Sequence, residues 1–334
     1  MNKYACIMRA MKRVNAPLNR GHKEKRREHN MKKVTAFLTA LTLAIGLTAC
    51  SGASSSTASG AAESTAASTP AAPSASAAAS GSAAGVVGGD PAEHTVEAIK
   101  ARGKLIVTTE ATYPPFEFQD ESGNIVGLDA KLAQALADEL GVELEIQNID
   151  FNSVVTEVQA GNADMAIAGL SPTPERKESV DMSDLYYGGG QCMLVLAENV
   201  DKYATKESLA GQTLATQKGA IQQTLMAEQF ADSEALLLPK FPQCIAELKT
   251  GACAAVLIDE VSAKQYMETT EGLAIGKVPV ETDPAANGNA IAVMKGNTDL
   301  LDFVNEKIAA YTEDGSIQTW FDEAQAKASE MGVL

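Results

Sequence analysis

The stretch Asp164-Met-Ala-Ile-Ala-Gly-Leu-Ser-Pro-Thr-Pro-Glu-Arg176 predicts a short buried strand over 165–168, a turn and the start of a helix. Thr173 suits the N-cap of that helix, because its hydroxyl can accept a hydrogen bond from the first turn. Pro174 suits the first helical position, where no N–H is needed. Free N–H groups would then lie beside the guanidinium of Arg176, an arrangement that binds a carboxylate. The alternative is an ordinary strand–helix turn with a surface arginine.

Composition separates the N-terminal part from the rest of the chain. The protein has 334 residues, of which 45% are hydrophobic, enough for a sizeable core in one or two domains. Residues 1–50 contain 11 of the 27 Lys and Arg but 2 of the 43 Asp and Glu, which leaves 16 basic against 41 acidic residues, a net charge of −25, in the remainder. Binding to nucleic acid needs a basic face, so we expect no nucleic-acid partner, and the acidic surface serves solubility.

Histidine usage excludes several kinds of catalysis. The three histidines are His22, His29 and His94, so residues 95–334 contain none. This stretch therefore lacks the residues for Ser-His-Asp or Cys-His catalysis and for His-ligated zinc. This absence is the strongest evidence in the sequence against a hydrolase, and we expect no metal site and no cofactor.

Residues 31–50 read as a lipoprotein signal peptide. Met31-Lys-Lys33 is a positive n-region, Val34 to Leu47 is a short apolar region, and Leu47-Thr-Ala-Cys50 resembles a lipobox, at which bacterial lipoproteins are cut and acylated on the cysteine. Lipidation of Cys50 would anchor the protein to the outer face of the cell membrane. The alternative is a cleaved signal with an incidental cysteine.

The regions on either side of this signal carry no fold pattern. Residues 1–30 are basic and patternless, and we interpret them as a mis-called extension with Met31 as the true start. Residues 51–90 are almost all Ser, Ala, Gly, Thr and Pro, which predicts a disordered tether. A long tether behind a lipobox favours a Gram-positive cell surface, and no later segment is apolar and long enough to cross a membrane.

Strands and helices alternate through the rest of the chain, which predicts an α/β fold with mainly parallel sheets. In such sheets ligands bind beyond the carboxyl ends of the strands. The further predicted strands are 104–109, 142–146, 191–196, 213–216, 235–238, 254–258, 274–278 and 289–294. The further predicted helices are 152–160, 220–230, 241–250, 259–268, 298–313 and 316–327, with one more that is capped by Asp129 and closed by Gly141.

Four stretches carry a resemblance to one family. Gly169-Leu-Ser-Pro-Thr-Pro-Glu-Arg176, followed by Ser179-Val-Asp-Met-Ser-Asp-Leu-Tyr-Tyr187, resembles the signature of the family 3 solute-binding proteins, the amino-acid receptors of ABC importers. Thr112-Tyr-Pro-Pro-Phe-Glu-Phe118 and Gly296-Asn-Thr-Asp-Leu-Leu301 resemble two further family stretches, and the similarity runs from about residue 95 to about residue 325.

The resemblance implies a bilobal, periplasmic-binding-protein-like fold of type II. Lobe 1 would comprise 95–196 plus 288–334 and lobe 2 would comprise 197–287, with two crossing strands as the hinge. A monomer would bind a free amino acid in the cleft between the lobes and deliver it to an ABC transporter permease.

The resemblance also implies roles for residues that face the charged ends of the ligand. Arg176 would pair with the α-carboxylate, since a buried charge needs a partner. Ser171 and the carbonyl of Gly169 match positions that take the ammonium or help to hold the carboxylate. Asp259 matches the family's ammonium-binding aspartate, and its alternative role is a helix N-cap.

Three more residues match positions around the ligand's side chain. Tyr113 and Phe151 match the aromatic pair that sandwiches it, and the alternative for both is core packing. Glu110 falls where relatives carry an acid that faces the side chain. An acid there disfavours glutamate or aspartate and fits a cationic or amide side chain.

The chain departs from the family pattern at two positions. Gly219-Ala220 replaces the usual Gly-Thr pair, so Ala220 would offer the carboxylate a backbone N–H without a hydroxyl. Pro172 stands where a β-branched residue is usual. The remaining cysteines of the body are interpreted as small buried residues: Cys192, Cys244 and Cys253.

One enzymatic alternative shares the fold, a lyase like cyclohexadienyl dehydratase. Such an enzyme needs an acid over a prephenate-like substrate and extra cations for its second carboxylate. The candidate acids are Glu110 and Asp259, and the candidate cations are Arg176 and Lys218. The receptor interpretation needs no such additions.

Overall fold

The structure is a computed structural model that describes residues 89–332. The predicted extension, the signal peptide with Cys50 and the tether as far as residue 88 lie outside these residues. The described part consists of two α/β lobes, each built on a five-stranded sheet.

The sheet of lobe 1 has the spatial order β5-β1-β6-β15-β7. Its strands are β1 (Lys104–Thr109), β5 (Glu143–Asn148), β6 (Met165–Ala166), β7 (Val180–Met182) and β15 (Ala292–Met294). β1 runs parallel to β5 and β6, whereas β15 runs antiparallel to β6 and β7.

The sheet of lobe 2 has the order β11-β10-β12-β9-β13. Its strands are β9 (Gln191–Leu196), β10 (Thr213–Gln217), β11 (Glu234–Leu238), β12 (Ala255–Asp259) and β13 (Leu273–Ile275). β10 runs parallel to β11 and β12, and β9 runs antiparallel to β12 and β13.

Two small sheets complete the strands. β8 (Tyr187–Gly188) pairs antiparallel with β14 (Gly288–Asn289) where the chain passes from one lobe to the other and back. β2 (Thr112–Tyr113), β3 (Glu117–Gln119) and β4 (Ile125–Val126) form a three-stranded sheet in order, and this sheet carries Tyr113. The first pair forms the hinge of the bilobal fold.

The helices flank these sheets. They are α1 (Val96–Arg102), α2 (Leu128–Leu140), α3 (Phe151–Ala160), α4 (Pro174–Ser179), α5 (Lys206–Leu209), α6 (Ile221–Gln229), α7 (Phe241–Thr250), α8 (Glu260–Thr269), α9 (Thr298–Glu313) and α10 (Ser316–Met331), besides two short 3₁₀ turns at Pro91–His94 and Ala197–Asn199.

Both sheets are mixed, so the prediction of mainly parallel sheets is wrong. Each sheet contains two parallel and two antiparallel pairings. The cause is the hinge. A strand that enters a lobe from the hinge begins at the end where the parallel strands finish, and it therefore runs against them. β9 does so in lobe 2, where Gln191 at its start faces Asp259 at the end of β12.

The position of β9 also corrects the expected lobe boundary. We placed 191–196 at the end of lobe 1, but this strand hydrogen-bonds with β12 and β13 in the second sheet. The crossing into lobe 2 therefore lies between β8 and β9.

Helix α2 has the predicted apolar side but a different cap. Its four leucines at 128, 132, 136 and 140 are all buried, and Gly141 ends it in the left-handed conformation with φ 69°. Asp129, the expected cap, does not cap the helix, because the N-cap residue is Gly127. The buried carboxylate of Asp129 instead accepts hydrogen bonds from the Gly169 N–H (2.9 Å) and from Tyr186 Oη.

The N-terminal end of the described part belongs to lobe 1. Gly89, which we assigned to the tether, donates from its N–H to the carbonyl of Gln159 (3.1 Å). His94, which we expected at the edge of the leader, is buried, and its Nδ1 lies 2.7 Å from Oδ1 of the buried Asp164. The folded body therefore begins earlier than the composition indicates.

The C-terminal helix α10 contacts both lobes. It packs against α2 and α9 of lobe 1 and against α8 of lobe 2. Gln265 of α8 is fully buried, and its Nε2 donates to Oγ of Ser329 on α10 (3.0 Å). The two hinge strands are thus supplemented by a helix–helix contact.

Within residues 89–332, no helix is long and apolar enough to span a membrane. Cys192, Cys244 and Cys253 are free thiols and all three are buried, as predicted.

Candidate ligand-binding site

One cavity lies between the two lobes, at the ends of β1, β10 and β12 that face the cleft. Its empty volume is about 410 Å³, which includes space open to solvent. All eight residues predicted for the ligand site line it: Glu110, Tyr113, Phe151, Gly169, Ser171, Arg176, Ala220 and Asp259. Eight further residues line it too: Glu117, Ala168, Gln191, Gln217, Ile221, Gln222, Phe241 and Asn289.

Arg176 is held by the turn that precedes it. Thr173 caps α4 as predicted, since its Oγ1 accepts a hydrogen bond from the Arg176 N–H (3.3 Å). The guanidinium donates to the carbonyl of Ser171 in lobe 1 (2.8 Å) and to the carbonyl of Gly219 in lobe 2 (3.1 Å). Among the described residues no carboxylate forms an ion pair with it, whereas Arg102 pairs with Asp164. Arg176 therefore has a positive charge available for an anion.

Burial changes the ionisation of this guanidinium without removing its charge. Desolvation lowers the pKa of Arg176 from 12.5 to about 10, so it stays cationic at neutral pH. Helix α4 has six residues, which makes its dipole short. An anion in this part of the cavity would thus be held mainly by the guanidinium fork.

Gly169 occupies a position that requires glycine. Its φ is +57°, and a Cβ atom there would lie 3.2 Å from Cδ1 and 3.3 Å from Cε1 of Tyr113. Its N–H is held by Asp129, as described above. A larger residue would strain the backbone and push the Tyr113 ring at the same time.

Asp259 uses its two carboxylate oxygens for different tasks. Oδ1 caps α8 by accepting from the N–H groups of Val261 (2.9 Å) and Ser262 (3.0 Å). Oδ2 accepts a hydrogen bond from the Tyr113 hydroxyl across the cleft. Burial raises the pKa of Asp259, and these donors oppose that rise. Asp259 therefore does act as the N-cap of α8, which was its alternative role. The cap uses one carboxylate oxygen and leaves the second oxygen facing the cavity.

Aromatic rings form two groups in the cavity. Phe151 lies at the start of α3 with the Cζ of Arg176 5.5 Å from its ring centroid, a cation–π distance. Tyr113 stacks on Phe241 of lobe 2, with centroids 4.9 Å apart and an interplanar angle of 24°. Both predicted aromatic residues thus lie at the cavity, and Phe241 adds a third ring that the sequence reasoning missed.

Glu110 directly follows β1 and is buried. Thr112 Oγ1 donates to both carboxylate oxygens at 2.9 and 2.8 Å. From lobe 2, Gln217 Nε2 donates to Oε2 (3.2 Å) and Lys240 Nζ lies 3.6 Å from Oε1. Burial raises the pKa of Glu110, while the hydrogen bonds and the Lys240 charge act against this rise.

Glu117 is a second buried acid at the cavity, and the sequence reasoning did not identify it. It is 1% exposed, and its Oε2 has no hydrogen-bond partner among the described residues. Burial, followed by the charge of the nearby Asp129, raises its pKa well above 4.5. The charged form of Glu117 is therefore disfavoured at this position.

Because residue 220 is alanine and has no hydroxyl, the N-terminus of α6 has no side-chain cap. Ala220 is the N-cap residue of α6, and no side chain caps that helix. The N–H of Gly219 is bonded instead to Oε1 of Gln223 (2.8 Å). The N-terminal N–H groups of α6 therefore lack the hydroxyl acceptor that a threonine would supply.

Three of the polar residues that the sequence reasoning missed share one kind of position. Gln191 starts β9, Gln217 ends β10 and Asn289 ends β14, so each lies where a strand meets the cleft. The rule that ligands bind at strand ends could have identified Gln217. Gln191 and Asn289 required knowledge of which strands cross the hinge.

The charges in this cavity suit a small zwitterion. A free cation, Arg176, and an acid, Asp259, lie on opposite lobes, and a second acid, Glu110, lies at the end of β1. A molecule with an adjacent carboxylate and ammonium could pair with both of the first two groups. No group of three or more His, Cys, Asp or Glu residues in the part of the chain that the structure describes could hold a metal ion.

Comparison with known proteins agrees with this architecture. Arginine-binding extracellular protein ArtP of Bacillus subtilis (strain 168) is 32% identical over 226 residues, which cover 65% of this chain and 86% of ArtP. A crystal structure of an amino acid ABC transporter substrate-binding protein from Streptococcus pneumoniae Canada MDR_19A, bound to L-arginine, is 38% identical with a TM-score of 0.66. The match covers 69% of this chain and 97% of the pneumococcal chain.

A third similar structure relates to the enzymatic alternative. It is the ancestral amino acid-binding protein AncCDT-1, described as a precursor of cyclohexadienyl dehydratase. It is 30% identical, with a TM-score of 0.63, and covers 68% of this chain and 98% of its own.

Two lobes, a hinge of two strands and a charged cleft between them define a bilobal solute-binding protein. The sequence model of the bacterial extracellular solute-binding proteins, family 3, matches residues 105–323. The chain belongs to this family, and its extracellular class agrees with the expected location outside the cytoplasm.

Proposed function

We propose that the protein is a lipid-anchored, extracytoplasmic receptor that binds one free amino acid in the interlobe cavity and delivers it to an ABC importer. Arg176 pairs with the α-carboxylate, supported by Ser171 and by the backbone N–H of Ala220. Asp259 and the carbonyl of Gly169 take the α-ammonium. Tyr113 and Phe151 contact the ligand's side chain, whose polar end points to Glu110.

The observation that carries this proposal is the position of Arg176. Its guanidinium lies in the cavity with hydrogen bonds to two backbone carbonyls and no carboxylate partner among residues 89–332. A cation withdrawn from water is unfavourable unless an anion pairs with it. The carboxylate of an amino acid supplies that anion, and Asp259 supplies the opposite charge for its ammonium.

The side chain of the ligand is polar or cationic in this proposal, and arginine is the first candidate. Glu110 is a buried acid at the cavity, which favours a guanidinium or an amide over a carboxylate. ArtP is named as arginine-binding, and the pneumococcal protein is described with L-arginine bound.

Thermal unfolding with each of the twenty amino acids, ornithine and cystine tests the proposal. A ligand at one hundred times its Kd adds about 2.7 kcal/mol to the free energy of unfolding, a shift of several degrees in Tm. We expect one chemical class to produce the shift in the parent protein. Arg176→Ala should abolish it, and Lys177→Ala, which removes an exposed neighbouring cation, should retain it. Folded, ligand-free protein that responds to none of these compounds would refute the amino-acid assignment.

The enzymatic alternative receives support from one comparison, the precursor of cyclohexadienyl dehydratase. We propose that this chain is a receptor and not a lyase. Its two charged cavity acids are engaged, Asp259 with the cap of α8 and Glu110 with Thr112, Gln217 and Lys240. Release of phenylpyruvate from prephenate by the purified protein, above a blank without protein, would overturn this part of the proposal.

Anchoring through Cys50 is the part of the proposal that lies outside the described residues. Mass spectrometry of the protein from membranes should find a diacylglyceryl and an acyl group on Cys50 as the first residue. Cys50→Ser should release the protein from the membrane fraction. Retention of the Cys50→Ser protein in membranes would contradict lipid anchoring.

A further inference from the structure

Glu110 is shared between the two lobes. It belongs to lobe 1 and is nearly inaccessible, but its closest charged neighbour is Lys240 of lobe 2, whose Nζ lies 3.6 Å from Oε1. Lys240 is the residue before α7 and the N-cap residue of that helix. The ion pair therefore joins the lobes at the part of the cavity that faces a ligand's side chain.

The second partner of Glu110 from lobe 2 is fixed, whereas Lys240 is free to move. Gln217 is buried, and its Nε2 donates both to Glu110 Oε2 (3.2 Å) and to the carbonyl of Pro239 (2.9 Å). The side chain of Lys240 is 43% exposed, and its ammonium can turn to water at little cost. Lys240 is thus the partner that a ligand can displace or keep.

The backbone next to Lys240 is held against the cavity. The following residue, Phe241, is buried and stacks on Tyr113 at 4.9 Å. This stacking fixes the start of α7 over the cleft, so the stem of Lys240 leaves the backbone within reach of Glu110. The pair is a consequence of where α7 begins.

The charges at this end of the cavity decide which side chain fits. With Lys240 on Glu110, the pair has no net charge, and a neutral side chain can donate to the carboxylate and accept from the ammonium without like-charge repulsion. A cationic side chain has to share Glu110 with Lys240, and two like charges around one carboxylate repel each other. Lys240 therefore weakens the binding of a cationic ligand and has almost no effect on the binding of a neutral one.

We propose that Lys240 is a specificity-determining residue that lowers the preference of the cleft for a cationic side chain over a neutral one of equal length. The proposal rests on the proposed function, because it assumes that an amino-acid side chain reaches Glu110. A merely structural role for the Glu110–Lys240 pair, as a contact between the lobes, would affect cationic and neutral ligands equally.

L-Arginine and L-citrulline are matched probes, since they have nearly the same shape and differ in a guanidinium against a neutral ureido group. Calorimetric titration of the purified full chain at low ionic strength gives the ratio of the two Kd values, citrulline over arginine. We expect Lys240→Met to raise this ratio about tenfold, mostly through tighter arginine binding, which is the scale of one half-exposed charge.

Two control variants separate the role of Lys240 from general electrostatics. Lys240→Arg keeps the charge and should leave the ratio within about twofold of the parent value, well below the change expected for loss of a nearby charge. Lys218→Met removes an exposed cation from the same lobe, just beyond β10, and should do the same. Unfolding transitions of all three variants show that each is folded before its ratio is compared.

Three outcomes would overturn the inference. Equal changes for both ligands in Lys240→Met would make the pair a structural contact between the lobes. An unchanged ratio of the two Kd values in Lys240→Met would mean that the ammonium of Lys240 points to solvent when ligand is bound. An identical rise in Lys218→Met would make the effect one of net charge. Failure of the proposed function looks different, because the parent protein would then bind neither arginine nor citrulline.

Discussion

Asp129 Oδ2 accepts a hydrogen bond of 2.9 Å from the backbone N–H of Gly169, a residue 40 positions further along the chain. The same carboxylate accepts the hydroxyl of Tyr186 at 2.8 and 2.9 Å. Asp129 is 2% exposed, so neither donor could turn to water if the carboxylate were removed. A residue of helix α2 thereby fixes the turn that carries the cavity's glycine.

Replacement of Asp129 by alanine should be strongly destabilising. Two buried donors would lose their acceptor, and each unsatisfied group costs about 1–3 kcal/mol. We expect Asp129→Ala to lower the free energy of unfolding by about 2 kcal/mol or more in urea titration. Asp138→Ala, an exposed carboxylate on the same helix, should stay within about 0.5 kcal/mol of the parent. Similar losses in both variants would show that the Gly169 contact contributes little.

The raised pKa of Glu117 predicts a specific pH dependence. Burial raises its pKa in the folded protein, whereas the unfolded chain releases this proton at about 4.5. The folded state then holds more protons than the unfolded state above that pH, so the Glu117 contribution to stability falls as pH rises. Glu117→Gln cannot lose a proton, and its free energy of unfolding relative to the parent should increase between pH 5 and pH 8.

Glu121→Gln provides the control for this pH series. Glu121 is exposed, and the same substitution there should leave the slope of stability against pH unchanged. If Glu117→Gln is instead less stable than the parent by a growing margin toward pH 8, the pKa of Glu117 is not raised in the folded protein.

Gly169 and Gly123 form a matched pair for testing the cavity wall. Both have positive φ, +57° and +80°, but a Cβ at Gly123 meets nothing within 4 Å, whereas one at Gly169 meets Tyr113. Each alanine substitution costs about 1 kcal/mol for the backbone conformation. Gly169→Ala should in addition weaken ligand binding about fivefold or more, because a ring displaced from a binding contact costs on the order of 1 kcal/mol. Equal affinities in the two variants, measured by calorimetry, would place Tyr113 outside the ligand contact.

Ala220→Thr, which restores the hydroxyl that is usual in the family, should raise both the stability of the protein and its affinity for the ligand. Thr at the uncapped N-terminus of α6 supplies an acceptor worth about 1 kcal/mol of stability relative to Ala. If the hydroxyl also reaches the ligand carboxylate, affinity should rise about fivefold, the effect of one added hydrogen bond. Ala220→Val has the same branched shape without the hydroxyl and should show neither gain. Matching gains for Thr and Val would attribute the effect to packing.

Much of the candidate site could be predicted because its residues sit in locally recognisable sequences. Thr173-Pro174 is typical of a helix start, and Asp259 stands at the end of an apolar segment that predicts a strand. Both the type of these residues and their place in the fold could therefore be predicted. All eight predicted residues line one cavity, and their roles toward a ligand remain predictions.

The features that were missed depend on pairing between distant parts of the chain. The strand direction of β9 follows from the hinge, and no local pattern records where the chain crosses. Asp129 looked like a cap because it stands at a helix start, but its partner Gly169 lies 40 residues away, in the turn after β6. Phe241 and Glu117 line the cavity, and Lys240 reaches the cavity residue Glu110 from the other lobe. A local reading of the sequence does not include these contacts between distant segments.

The contact between α8 and α10 limits how the two lobes can move. Gln265 in lobe 2 donates to Ser329 on a helix that also packs on α2 and α9 of lobe 1. A rotation about the strands β8 and β14 alone would slide these helices past each other and break this partly buried hydrogen bond. We therefore expect a substitution on α10, far from the cleft, to change how far the cleft opens.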